Sequence, residues 1–162
     1  MAKSGSRSKS PQQDLDLLFE RANKQWDVGK LRSAFRLFLA GAKAGDTGCQ
    51  INLGNFYSDG TGMKRNRALA LYWYRRAYRR GERCAANNIG IVFRDEKKLK
   101  LALAWFERAV RLKDADANLE IAKIYLQSND RNKAVRYLRQ VCKAGPRDVT
   151  EASREWWSMG DH

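Results

Sequence analysis

The sequence holds one histidine, His162, and two prolines, Pro11 and Pro146, in 162 residues. A lone histidine at the final position leaves no partner set for a Ser–His–Asp or Cys–His arrangement and none for a histidine metal site. No GxGxxG or GxxxxGK[ST] phosphate cradle occurs, since Gly60, Thr61 and Gly62 belong to a turn between helical segments. The paired acids Asp114 and Asp116 sit near an expected helix start, where they cap and complement the dipole. No catalytic, cofactor-binding or metal-ligating residue is therefore assigned, and an enzyme is not expected. Cys49, Cys84 and Cys142 include no C-x-x-C pair, which suits a reducing compartment and an expected cytoplasmic location. No run of about eighteen apolar residues exists to cross a membrane.

Residues 1–13, MAKSGSRSKSPQQ, carry Lys3, Arg7 and Lys9, no acid, and no large apolar residue after Met1. Such a stretch cannot repay the entropy of ordering, so a disordered basic tail is expected there. It has no apolar h-region and is not expected to act as a secretory signal. The formal net charge of +14 is the one extreme value of the composition. It favours anionic partners: nucleic acid, an acidic protein surface or an anionic membrane surface.

From residue 14 onward, apolar residues recur at intervals of three and four, broken by short turns containing Gly, Asp or Asn. That is the signature of an all-α chain. The segments come in pairs and repeat. Ala34, Ala70, Ala102 and Ala134 are spaced by 36, 32 and 32 residues. Each is followed by large apolar groups three and four positions on: Leu37 and Phe38, Trp73 and Tyr74, Trp105 and Phe106, Tyr137 and Leu138. The first half of each unit has its own small marker at Ala22, Gly54, Gly90 and Ala122. Antiparallel helices approach closely where side chains are small, and large rings fill the wedge between one hairpin and the next. One hairpin cannot bury its apolar face alone, so the units are expected to stack into a right-handed α-α superhelix, or solenoid, of about four helical hairpins. The expected repeats are 14–46, 47–82, 83–114 and 115–146, followed by a C-terminal capping helix over 148–159 in which Trp156 or Trp157 covers the last hairpin.

The stretch LGNFYSDGTGMKRNRALALYWYRRAYRRG has an LG-x-x-Y motif, a G-x-G turn, an A-x-x-WY-x-x-A motif and a closing Gly. Leu53, Gly54, Tyr57, Gly60, Gly62, Ala70, Trp73, Tyr74, Ala77 and Gly81 occupy those positions. It resembles a complete Sel-one-like repeat, a member of the tetratricopeptide superfamily. The other three units lack the long turn and are more similar to ordinary tetratricopeptide hairpins. The resemblance implies protein–protein scaffolding without catalysis and without naming a partner.

Two surfaces are candidates for that role. The first is a groove lined by the first helices, where Asn23 and Asn55 follow the small marker by one residue and Asn52 and Asn88 precede it by two. Asparagine is a mediocre helix former, and its amide both donates and accepts, which suits the backbone of an extended peptide. The alternatives are plain surface polarity or a local bond between helices. Asp59, Asp95, Asp116 and Glu120 suggest that part of the groove tolerates a basic peptide, and a clamp for a C-terminal carboxylate is not expected. The second surface is basic. On a wheel of about 100° per residue, Arg75, Arg76 and Arg79 fall with Tyr72 on the arc opposite Ala70, Tyr74 and Ala77, while Trp73 faces the core. Nine residues after each alanine stand Lys43, Arg79, Arg111 and Lys143, and Arg36, Arg108, Arg136 and Arg139 broaden the row. Cations in a last helical turn also complement the dipole without binding anything. The partner expected is another protein, engaged through a peptide or helix in the groove. Nucleic acid or another polyanion on the basic face and tail is the alternative, and membrane association is weaker because Tyr72 is nearly its only apolar anchor. A monomer or weak dimer is expected.

Overall fold

The computed structural model describes residues 10–144. They form eight α-helices and no strand. The expectations for residues 1–9, for Pro146 and for a capping helix over 148–159 lie outside the described residues.

Two compact units divide the chain, one ending at Arg80 and one beginning at Gly81. The first contains α1 (Pro11–Asp27), α2 (Leu31–Ala44), α3 (Thr47–Asp59) and α4 (Arg67–Arg79). Here α1 pairs with α2 and α3 with α4, and α2 joins the two hairpins by packing on α3. The second contains α5 (Cys84–Asp95), α6 (Leu99–Arg111), α7 (Asp116–Gln127) and α8 (Arg131–Ala144), paired in the same way with α6 against α7.

Helix α1 begins at Pro11, inside the stretch expected to be tail. Ser10 closes a capping box: its hydroxyl accepts from the Gln13 amide, and the Gln13 side chain accepts from the Ser10 amide. Proline at the first helical position loses no hydrogen bond, because that N–H has no partner inside a helix. The polar composition of residues 1–13 thus conceals a helix start.

Small residues set the distance between paired helices. Gly54 of α3 lies against the ring of Tyr74 of α4, and a Cβ there would overlap the ring. Gly90 of α5 stands in the same relation to Phe106 of α6. Ala22, Ala34, Ala70, Ala77, Ala102, Ala109, Ala122 and Ala134 are all fully buried, as their places in the repeat require.

The first unit seals its seam with rings. Phe56 of α3 meets Trp26 of α1 at 4.9 Å between centroids and Phe35 and Phe38 of α2 at 5.6 and 6.0 Å. The turn from α3 to α4 adds to this core. Gly60 takes a left-handed φ of 73° to end α3, the Asn66 amide donates back to the Tyr57 carbonyl at 2.8 Å, and Met63 packs against the cluster. A Cβ on Gly62 would lie 3.5 Å from Leu31 of α2, so this turn folds over the preceding hairpin. In the second unit Leu119 and Ala122 of α7 are buried with Leu138 and Val141 of α8, and Tyr137 packs against them inside the last hairpin.

Candidate interaction surfaces

The first helices carry different chemistry in the two units. In the first unit Asn23, Asn52 and Asn55 are all half-buried. Asn55 is engaged: the Tyr74 hydroxyl donates to its Oδ1 at 2.7 Å. The ring that passes over Gly54 places its hydroxyl one residue further on, so this asparagine bonds the two helices of its own hairpin. No hydrogen bond among the described residues engages the side chains of Asn23, Asn52 or, in the second unit, Asn88.

In the second unit Arg94 of α5 pairs with Glu120 of α7 and with its neighbour Asp95 at 3.0 Å. Glu120 also receives Lys123 at 3.5 Å. Glu120 and Asp95 were expected to leave this face receptive to a basic peptide. Arg94 and Lys123 neutralise them instead, because α5 brings a guanidinium across 26 residues of chain to α7. Three further buried amides escaped the sequence reading: Gln50, Asn87 and Asn118. Gln50 is fully buried, and its Nε2 donates to the Ala42 carbonyl at 3.1 Å, tying α3 to the end of α2. Its place four residues before Gly54, on the same helical stripe, was the available signal.

On the second helices, Lys43, Arg75, Arg79, Arg111 and Arg136 are exposed, and Lys143 falls in α8. Arg76 behaves differently. Its guanidinium lies 5.4 Å from the Trp73 ring centroid and 5.9 Å from that of Tyr72, and Nη1 donates to the Tyr72 hydroxyl at 3.2 Å. Arg108 repeats the arrangement on α6, 4.3 Å from the Trp105 ring. Each such stack is worth about 0.5–1 kcal/mol near the surface. These two arginines shield an indole from water, a role that the helical wheel, with Arg76 on the outer arc, did not show.

Burial, then the charge of Glu82 and a hydrogen bond to it, push the Cys84 thiol up to about 12. Burial and Asp46 push Cys49 up as well. A protonated thiol is a poor nucleophile and metal ligand. Among the described residues no cluster of His, Cys, Asp and Glu is placed to hold a metal ion, and no helix is long and apolar enough to cross a membrane.

Paired antiparallel helices with a small residue opposite a ring in successive hairpins define a helical-hairpin repeat protein. The Sel1 repeat model matches residues 48–82 and 86–114, and a tetratricopeptide repeat model matches 115–148. The chain belongs to the Sel1-like and tetratricopeptide repeat proteins, and its fold is of their all-α superhelical class. The unit at 86–114, expected to be closer to an ordinary tetratricopeptide hairpin, thus also reads as a Sel1 repeat despite its short turn. Among solved structures, a Sel1 repeat protein from Oxalobacter formigenes is 31% identical, with a TM-score of 0.56 over 68% of this chain and 47% of that one. The chain is also similar to c5321, a protective antigen of uropathogenic Escherichia coli with an SLR fold, at 20% identity and a TM-score of 0.68 over 80% of this chain and 30% of that one. A Pseudomonas aeruginosa protein, PA5086, matches at 19% identity and a TM-score of 0.62 over 95% of this chain and 60% of that one. The chain therefore spans about half the length of the first of these and under a third of the second. No curated protein matched the sequence.

Proposed function

We propose that the chain is a non-enzymatic interaction module that binds a peptide or helix of a partner protein on the first-helix face of its N-terminal unit. Sel1 and tetratricopeptide repeats are in general protein-interaction modules. The observation that carries the finer reading is the pair Asn23 and Asn52. Both are half-buried on α1 and α3, and neither side chain is hydrogen-bonded among the described residues. Amides held on rigid helices with unused donors and acceptors suit the backbone of an extended partner. Asn55 contributes indirectly, by fixing α3 against Tyr74.

The test is capture of a partner from cell extract after nuclease treatment, followed by the Asn23→Ala/Asn52→Ala variant. A loss of affinity with unchanged thermal stability supports the reading, and unchanged affinity ends it. The exposed cations Lys43, Arg75, Arg79, Arg111 and Arg136 motivate a second reading, polyanion binding on the second helices. It requires a steep salt dependence and loss of binding in Arg75→Glu/Arg79→Glu.

A further inference from the structure

The repeat allows the stacking face of each hairpin to be compared position by position. In the second hairpin Leu53 and Phe56 of α3 face the hairpin before them, where Phe56 meets Trp26, Phe35 and Phe38. The residues in register with Leu53 are Ile89 and Ile121, and those in register with Phe56 are Val92 and Ile124. All are buried. In the first hairpin the same two positions are Arg21 and Lys24, both exposed. The position of Tyr57 is taken by Gln25. An apolar stacking face has been rewritten as a basic one.

The rewritten face is concave. Arg21, Lys24 and Gln25 from α1 and Ser33, Arg36 and Leu37 from α2 line a cleft of about 570 Å³. Three cations from two antiparallel helices converge there, and among the described residues no acid lines it and no ion pair engages them. Two of the four acids of α1, Asp16 and Glu20, line a separate depression with Asp46.

We infer that this cleft docks an acidic segment of a partner protein, with two or three Asp or Glu side chains around an aliphatic residue. Arg21 and Arg36 take carboxylates in the fork geometry that guanidinium favours. Lys24 supplies a third charge, Leu37 receives the aliphatic group, and Gln25 and Ser33 pair with the backbone. Nucleic acid fits less well. The cations close on one cleft instead of tracking a strand, and no aromatic ring lines it for a base to stack on. The site is separate from the amides of Asn23 and Asn52, and it stands whether or not those bind a peptide.

The test uses the full chain and a short fluorescein-labelled peptide rich in Glu and Asp around a central Leu, followed by anisotropy at low salt. Saturable binding is expected, weakened roughly tenfold or more in Arg21→Glu/Arg36→Glu, about 1.4 kcal/mol per tenfold. Arg21→Gln/Arg36→Gln should fall between that variant and the native chain, and Lys100→Glu/Arg131→Glu in the second unit should bind as the native chain does. Thermal melts of each variant separate loss of the site from loss of the fold, since all four positions are exposed. Three results overturn the inference. One is no peptide binding, which would leave the face a solvated cap. Another is equal damage from the Lys100→Glu/Arg131→Glu reversal, which would make net charge the cause. The third is tighter binding of a charge-matched RNA oligonucleotide through Arg21 and Arg36, which would replace the partner class.

Discussion

The two units share one helical register and fill it with different chemistry. Between their first helices, the N-terminal unit places an aromatic contact, Trp26 on Phe56, while the C-terminal unit places an ion pair, Arg94 with Glu120. The first unit turns its chain at glycines, Gly29 and Gly45, with φ of 72° and 104°. The second turns at Lys97, Lys113 and Asn129, with φ near 60°. Both units bury an apolar core, and the second adds a charge pair where the first has an aromatic contact. Asn23 and Asn52 on the aromatic side have no hydrogen bond among the described residues, while Asp95 and Glu120 on the ionic side are paired internally.

The sharpest way to break this contrast is Phe56→Ala, which removes the ring shared by Trp26, Phe35 and Phe38. A fully packed ring of this kind costs about 3–5 kcal/mol when deleted, read as a lower midpoint in urea unfolding. On the ionic side, Glu120→Ala leaves Arg94 and Lys123 without their shared carboxylate. Arg94 keeps 30% of its side-chain surface in water, so the expected loss is about 1 kcal/mol, and it should shrink further in high salt. An Asn52→Ala control in the first unit should shift stability by less than about 0.5 kcal/mol, because that amide has no hydrogen-bond partner among the described residues.

The turns offer a smaller, reciprocal test. Gly29→Ala introduces no clash, since nothing lies within 4 Å of the added carbon. It should still cost about 1 kcal/mol for a left-handed backbone, whereas Lys97→Gly should stabilise its unit by up to about that amount. The smallest effect concerns Asp114, whose carboxyl is pushed above the usual range by burial and then by Asp116. The folded chain keeps that proton to higher pH than the unfolded chain does. Its contribution is therefore neutral in strong acid and becomes a penalty as pH rises through the window between the two values. Asp114→Asn should remove this slope from a plot of stability against pH, while its oxygen still accepts from the Asp116 amide.

Much of this fold was legible in the sequence because opposed small and large residues leave a one-dimensional trace. The small markers Gly54 and Gly90 and the large positions Tyr74 and Phe106 were recognisable from spacing, and the helix pairs follow from it. These two rings, however, were expected between hairpins and lie instead on the glycines of their own hairpins. What was not legible required a direction for each side chain as well as a face. Arg76 lies opposite the core on a helical wheel, yet its long side chain bends back over Trp73 and Tyr72. Asn55 looked available until the Tyr74 hydroxyl was located. The Arg94–Glu120 pair links residues 26 apart through two helices and a turn, beyond the reach of any periodicity. The start of α1 was readable from Ser10, Pro11 and Gln13, but the charge and polarity of the preceding residues outweighed that local cue.

The long turn after α3 carries a last consequence. With Met63 packed on the core and Gly62 resting near Leu31, its extra length is part of the wall that closes the first hairpin. Trimming it to the length of its counterparts would uncover Leu31 and admit solvent between α2 and α3. Deletions in this lineage should accordingly be tolerated in the short connections sooner than here, and a grafted epitope or label is safer at Gly29 than between Gly60 and Asn66.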